Sequence, residues 1–210
     1  MSQPNITFYT NPLSRGRFVR WMLEECGADY ETVVVAFGAE MKDDAYLAVN
    51  PMGKVPALQC DDTVITETVA IIMHLADLFP DAQLAPSVAT GERGSYYRWL
   101  VFAQHLEYAM QDRFFAVPDS AERRKSLGYG DFDSMLATLR QALTGKDYLV
   151  GGQFSAADLF CCSMLGWGYQ RAQVLPPDDV FQNYMQRIAS RPAFARAAAL
   201  DDALIGEMPS

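Results

Sequence analysis

The chain has 210 residues, half of them hydrophobic and a fifth charged, which is ordinary globular usage and far from the composition of a disordered chain. A formal net charge of −9 argues against nucleic acid or an anionic membrane as partner, because both need clustered cations to displace counterions. Met1 to Asn5 carry neither the charged nor the apolar part of a leader, and no apolar run reaches the roughly 20 residues of a membrane span. A folded, cytoplasmic protein of one large or two small domains is expected.

Ile6 to Tyr9 is a short β-rich run ending at Asn11-Pro12. From Ser14 the pattern changes to Phe18, Val19, Met22, Leu23 and Cys26 at helical spacing, closed by Gly27. Tyr30 to Val35 is a second β-branched run, which makes the opening a βαβ unit with parallel strands. Asp43 to Val49 fits a short helix halted by Asn50-Pro51. Val55 to Cys60 and Thr63 to Ile65 read as a hairpin across Asp61-Asp62, and Thr66 or Glu67 opens a helix through Val69, Ile72, Met73, Leu75 and Leu78 that stops before Pro80. The order is βαβαββα.

Beyond a linker in residues 81–90 the pattern is helical throughout, with helices over Gly91 to Phe115, Ala121 to Leu143, Ser155 to Gln170, Asp179 to Ala189 and Ala193 to Leu204. The switch from mixed α/β to all-α predicts two domains, 1–80 and 91–210. Ser155 and Asp158 have capping-box spacing, with Phe154 placed to staple onto Leu159, so this polar pair serves folding. Cys26, Cys60, Cys161 and Cys162 lack metal or redox spacing and read as small core residues. His74 and His105 read as packed or capping, Arg123 to Lys125 as a solvated helix face, and no metal site is expected.

Asn50 to Leu58 followed by Ile65 to Thr68 is the least generic stretch. Pro56 at the start of a strand removes a ladder donor and belongs at an edge or a special bend. If Val55-Pro56 is cis, the preceding backbone N–H and C=O face outward, where an extended peptide could pair with them. Just after the hairpin, the amides around Thr68 can take a carboxylate while Glu67 takes an ammonium. Together these describe a peptide with an amino-acid head group.

Val55-Pro56-Ala57-Leu58 and Glu67-Thr68 on a βαβαββα frame resemble the thioredoxin-like N-terminal domain of cytosolic glutathione transferases of the bacterial type. The helical remainder, with its capping box after Gly151-Gly152, resembles their C-terminal domain. The resemblance implies that Val55 pairs with the cysteinyl unit of glutathione, that Pro56 is cis, and that Glu67 and Thr68 hold the γ-glutamyl end. Lys54 either neutralises the glycyl carboxylate or is a solvated loop lysine. It also implies a homodimer with a detoxifying transferase activity, using glutathione as co-substrate and no cofactor.

A thiol of pKa about 8.5 gains about two units of acidity only if the site favours the thiolate by roughly 2.7 kcal/mol. A helix N-terminus supplies about 0.3 to 2 kcal/mol and a charge-assisted hydrogen bond about 1.5 to 3, so both are needed. Ser14, at the start of the first helix, is the catalytic candidate of a serine-type site, its other reading being a helix N-cap. Tyr9, Thr10 and Asn11 are the alternates. Arg15 and Arg17 either add positive potential or face water, and with no cysteine between Tyr9 and Arg17 a mixed-disulfide chemistry is not expected. In the family the pocket for a small apolar electrophile lies between the first-strand loop and the long helices, which nominates Tyr97, Val101, Tyr108 and Trp167. Competing readings are a glutathione-dependent isomerase or peroxidase, and a non-enzymatic regulator with the same fold.

Overall fold

The computed structural model of the protein describes residues 4–207. Four strands, β1 (Ile6–Thr10), β2 (Glu31–Val34), β3 (Ala57–Cys60) and β4 (Thr63–Thr66), form one sheet in the order β2-β1-β3-β4. β1 is parallel to β2 and antiparallel to β3, and β3 is antiparallel to β4. α1 (Gly16–Cys26), α2 (Asp44–Val49) and α3 (Thr68–Leu78) complete the expected βαβαββα unit. Val19, Met22 and Leu23 of α1 are fully buried, as are Ile71, Ile72 and Leu75 of α3 and Phe8 of β1. These apolar positions recur at helical spacing, and their burial holds the helices where local propensity alone would not. Gly27, in the left-handed region at φ 60°, closes α1. On the other face of β1, Tyr9 joins Val35, Met41, Tyr46, Val49 and Val55 in a smaller cluster.

The remaining helices are α4 (Gly91–Phe114), α5 (Ala121–Ser126), α6 (Phe132–Leu143), α7 (Ala156–Gln170), α8 (Asp179–Ala189) and α9 (Pro192–Glu207). The single helix expected over Ala121 to Leu143 is two. Leu127 leaves the helical region at ψ 132°, Gly130 takes φ 71°, and Asp131 caps α6 by accepting the Ser134 amide at 2.8 Å. The chain groups into two compact units, one of residues 1–84 with 191–210 and one of residues 85–190. α9 packs on α1 within the first unit: Trp21 meets Phe194 edge-on with ring centroids 4.8 Å apart, Ala193 and Ala197 are buried, and ion pairs join the two segments.

In the second unit the Ser155–Asp158 capping box forms. Asp158 accepts from the Ser155 amide at 3.0 Å, the Leu149 amide at 2.8 Å and the Tyr184 hydroxyl at 2.9 Å. Burial pushes the Asp158 carboxyl up, and these donors oppose that rise.

Candidate functional site

The strand registers bring the three expected segments to one end of the sheet. Tyr9 of β1 stands opposite Ala57 of β3, and Ala57 stands opposite Thr66 of β4. The chain therefore leaves β1 toward Asn11–Ser14, enters β3 from Val55-Pro56, and leaves β4 toward Glu67-Thr68 in the same row.

The Val55–Pro56 peptide is cis. The Lys54 carbonyl just before it accepts two hydrogen bonds at 2.7 Å, from the Tyr46 hydroxyl and from Asn50 Nδ2. Gly53 is required here: its φ is +55°, and a Cβ would lie 2.4 Å from the Met41 carbonyl oxygen. Lys42 Nζ donates to the Met52 and Gly53 carbonyls. The loop is thus pinned on one side, and on the other neither the Val55 amide nor its carbonyl has a hydrogen-bond partner among the described residues. That is the backbone ladder an extended peptide would meet. The Lys54 side chain is exposed and makes no ion pair among the described residues.

Glu67 sits at the N-cap of α3 with φ +68° and ψ 119°, a region that non-glycine residues seldom occupy. Such a backbone costs about 1 to 3 kcal/mol. It exposes the carboxylate and leaves Thr68, 8% exposed, to open the helix. No side chain caps this turn, and the Thr68 and Val69 amides are without partners among the described residues. Anionic groups are favoured at such amides, and a cation is favoured by Glu67.

The first loop is tightly tied. Asn11, fully buried, donates through Nδ2 to the Val35 carbonyl at 3.0 Å and accepts the Leu13 amide at 3.0 Å. Ser14 Oγ donates to the Asn11 carbonyl at 2.7 Å and accepts the Gly16 amide at 2.9 Å. The hydroxyl thus holds the first turn of α1, and its one proton is engaged. Of the alternates, Asn11 is committed to structure, Tyr9 donates to Gln59 Oε1 at 3.2 Å, and Thr10 Oγ1 is buried without a hydrogen-bond partner. Arg17 does not simply face water: it donates to the Pro12 carbonyl at 3.4 Å and to Asp202 at 2.9 Å.

Tyr46 and Lys42 were not legible as site residues; Asn50 opens the least generic stretch, but its hydrogen bond to the Lys54 carbonyl leaves no mark in the sequence. In the second unit Tyr97, Val101 and Tyr108 are exposed on α4, and Trp167 is half-buried. A cavity of about 370 Å³, walled by Arg113, Arg123, Leu127, Tyr129 and Phe132, contains none of the expected residues. The four cysteines are free. Burial, with the Glu25 charge beside it, pushes the Cys26 thiol up to about 12, and burial with the Asp158 charge takes Cys162 to about 12 as well. Among the described residues no group of His, Cys, Asp and Glu is placed to hold a metal, and no helix is long and apolar enough to cross a membrane.

The sheet, the cis turn and the open α3 N-terminus define a thioredoxin-like α/β unit, accompanied by a helical one. Residues 16–78 match the family described as glutathione S-transferase, N-terminal domain, and residues 110–192 match glutathione S-transferase, C-terminal domain. The glutathione S-transferase GstA of Escherichia coli O157:H7 is 34% identical over 174 residues, covering 81% of this chain and 86% of that protein. A glutathione transferase of Methylococcus capsulatus superimposes with a TM-score of 0.77 at 30% identity, covering 94% of this chain and 99% of its own. A sphingomonad glutathione S-transferase complexed with glutathione gives 0.74 at 30% identity, covering 93% and 98%. The chain belongs to the glutathione S-transferase family and is a glutathione transferase by enzyme class.

Proposed function

We propose that the end of the sheet described above binds glutathione in extended form and presents its thiolate to a small apolar electrophile. The observation that carries this reading is the convergence, in one strand register, of the unpaired Val55 backbone, the exposed Glu67 carboxylate and the first loop bearing Ser14. Val55 pairs with the cysteinyl unit, Glu67 takes the γ-glutamyl ammonium, and Thr68 with the α3 amides takes its carboxylate. Lys54 faces the glycyl carboxylate. The reaction uses glutathione as co-substrate and no other cofactor, in a cytoplasmic homodimer.

Ser14 is the thiolate donor, at a discount that the geometry makes explicit. Its proton must leave the Asn11 carbonyl, so a neutral hydrogen bond of about 0.5 to 1.5 kcal/mol is exchanged for a charge-assisted one of about 1.5 to 3. The net gain is about 1 kcal/mol, and the α1 N-terminus supplies the rest of the thiolate stabilisation.

The test is titration of the bound thiol, followed by its thiolate absorbance, together with turnover of an activated aryl halide. Ser14→Ala is expected to raise the titration midpoint and lower kcat/KM about five-fold. Unchanged values in a folded variant would remove Ser14 from the site. Failure of the wild-type protein to bind immobilised glutathione at millimolar ligand would overturn the whole reading, and sedimentation as a monomer would overturn the dimer.

A further inference from the structure

Among the described residues, α1 is joined to α9 and to Arg191 just before it by acid–base pairs: Arg17 with Asp202, Arg20 with Asp201, Glu24 with Arg196, and Glu25 with Arg191. Each helix has its basic residues toward its N-terminus and its acidic residues toward its C-terminus. Both arrangements oppose the helix macrodipole, so neither suits the helix that carries it. They suit the pairing. The Arg20–Asp201 pair, at 2.7 Å, is almost wholly buried, and Arg20 Nη1 also donates to Tyr30 and Thr32 at 3.2 Å. Removing one partner of such a pair strands a buried charge, which fixes the register of α9 on α1.

We propose that Asp201 and Asp202 of α9 are positioning residues for the thiol site, a role that rests on the proposed reading of Ser14. Asp201 anchors the register through Arg20. Asp202 then orients Arg17, whose other guanidinium nitrogen holds the Pro12 carbonyl in the loop between β1 and Ser14. The Arg17 amide donates to the Ser14 carbonyl at 3.3 Å, so one residue grips the loop from both sides of Ser14.

Asp202 is exposed, so its substitution leaves the fold intact and isolates the effect. In Asp202→Asn, hydrogen exchange at the Ser14 and Gly16 amides is expected to quicken several-fold, with the thiolate titration midpoint of bound glutathione raised. kcat/KM is expected to fall about three-fold, the scale of an exposed ion pair, and Asp202→Glu to restore all three. Unchanged exchange and midpoint in Asp202→Asn, with a normal wild-type titration, would overturn this proposal alone. A wild-type protein that shows no bound thiolate would overturn it together with the reading on which it rests.

Discussion

Gly16 presses against Thr10: a Cβ at residue 16 would stand 1.9 Å from Thr10 Oγ1 and 3.0 Å from Ser14 Oγ. The start of α1 can approach β1 this closely only because residue 16 has no side chain. Gly16→Ala is therefore expected to destabilise the protein by about 2 kcal/mol, the scale of overpacking in a closed core. Thr10→Ala removes a buried hydroxyl that has no partner, so alone it should lie within about 1 kcal/mol of wild type. Combined, the two changes should recover most of the loss, as read from urea midpoints.

At Glu67 backbone and side chain are opposed. The positive φ is relieved by Gly and not by Ala, so Glu67→Gly is expected to be more stable than Glu67→Ala by about 1 kcal/mol. Both variants lack the carboxylate and should bind immobilised glutathione equally poorly. Equal stabilities would show that the residue 67 backbone relaxes in solution.

Tyr46 and Asn50 share one acceptor, the Lys54 carbonyl. Tyr46→Phe and Asn50→Ala are each expected to weaken glutathione binding about three-fold, the scale of one neutral hydrogen bond acting on the loop. Because both act on the same carbonyl, the double variant should depart from additivity in a calorimetric double-mutant cycle.

Alkaline pH probes the buried polar cluster of the second unit. Burial, followed by the Asp158 charge, holds the Tyr184 hydroxyl well above the ordinary tyrosine range, and burial likewise raises Cys161 and Cys162. With folded values above unfolded ones, the native state keeps these protons longer. Their stabilising contribution is whole below pH of about 8.5 for the thiols and about 10 for Tyr184, and is lost as pH rises toward the folded values. Each group then contributes a slope of about −1.4 kcal/mol per pH unit. Tyr184→Phe should remove one such slope above pH of about 10 in urea unfolding. At neutral pH it should cost about 1 to 3 kcal/mol, because Asp158 loses a donor.

What could be read from the sequence was what lies close together along it. The strands and helices of residues 6–78 announce themselves through period and punctuation, and the Ser155–Asp158 box through a three-residue spacing. The break at Leu127 to Asp131 is hard to read because Ala121–Ser126 is a polar helix with no buried residue, so no apolar period stops there to mark its end. Arg17 looked indifferent for a different reason: its partner, Asp202, is 185 residues away, and charge pairing at that distance leaves no periodic mark. Ser14 lay in between. Its place at the head of α1 was legible, whereas the engagement of its proton with Asn11 depends on the path of the loop.

The assignment of α9 to the unit formed by residues 1–84 makes that unit discontinuous along the chain. During synthesis the sheet and α1 are made first, yet Arg20 waits for Asp201, which lies 181 residues further along the chain. A long-range closure of this kind slows folding. A chain ending at residue 190 would thus leave Arg20 without its carboxylate and the α9-facing side of α1 uncovered, in the unit that carries the proposed thiol site, while every residue proposed to touch glutathione was still present.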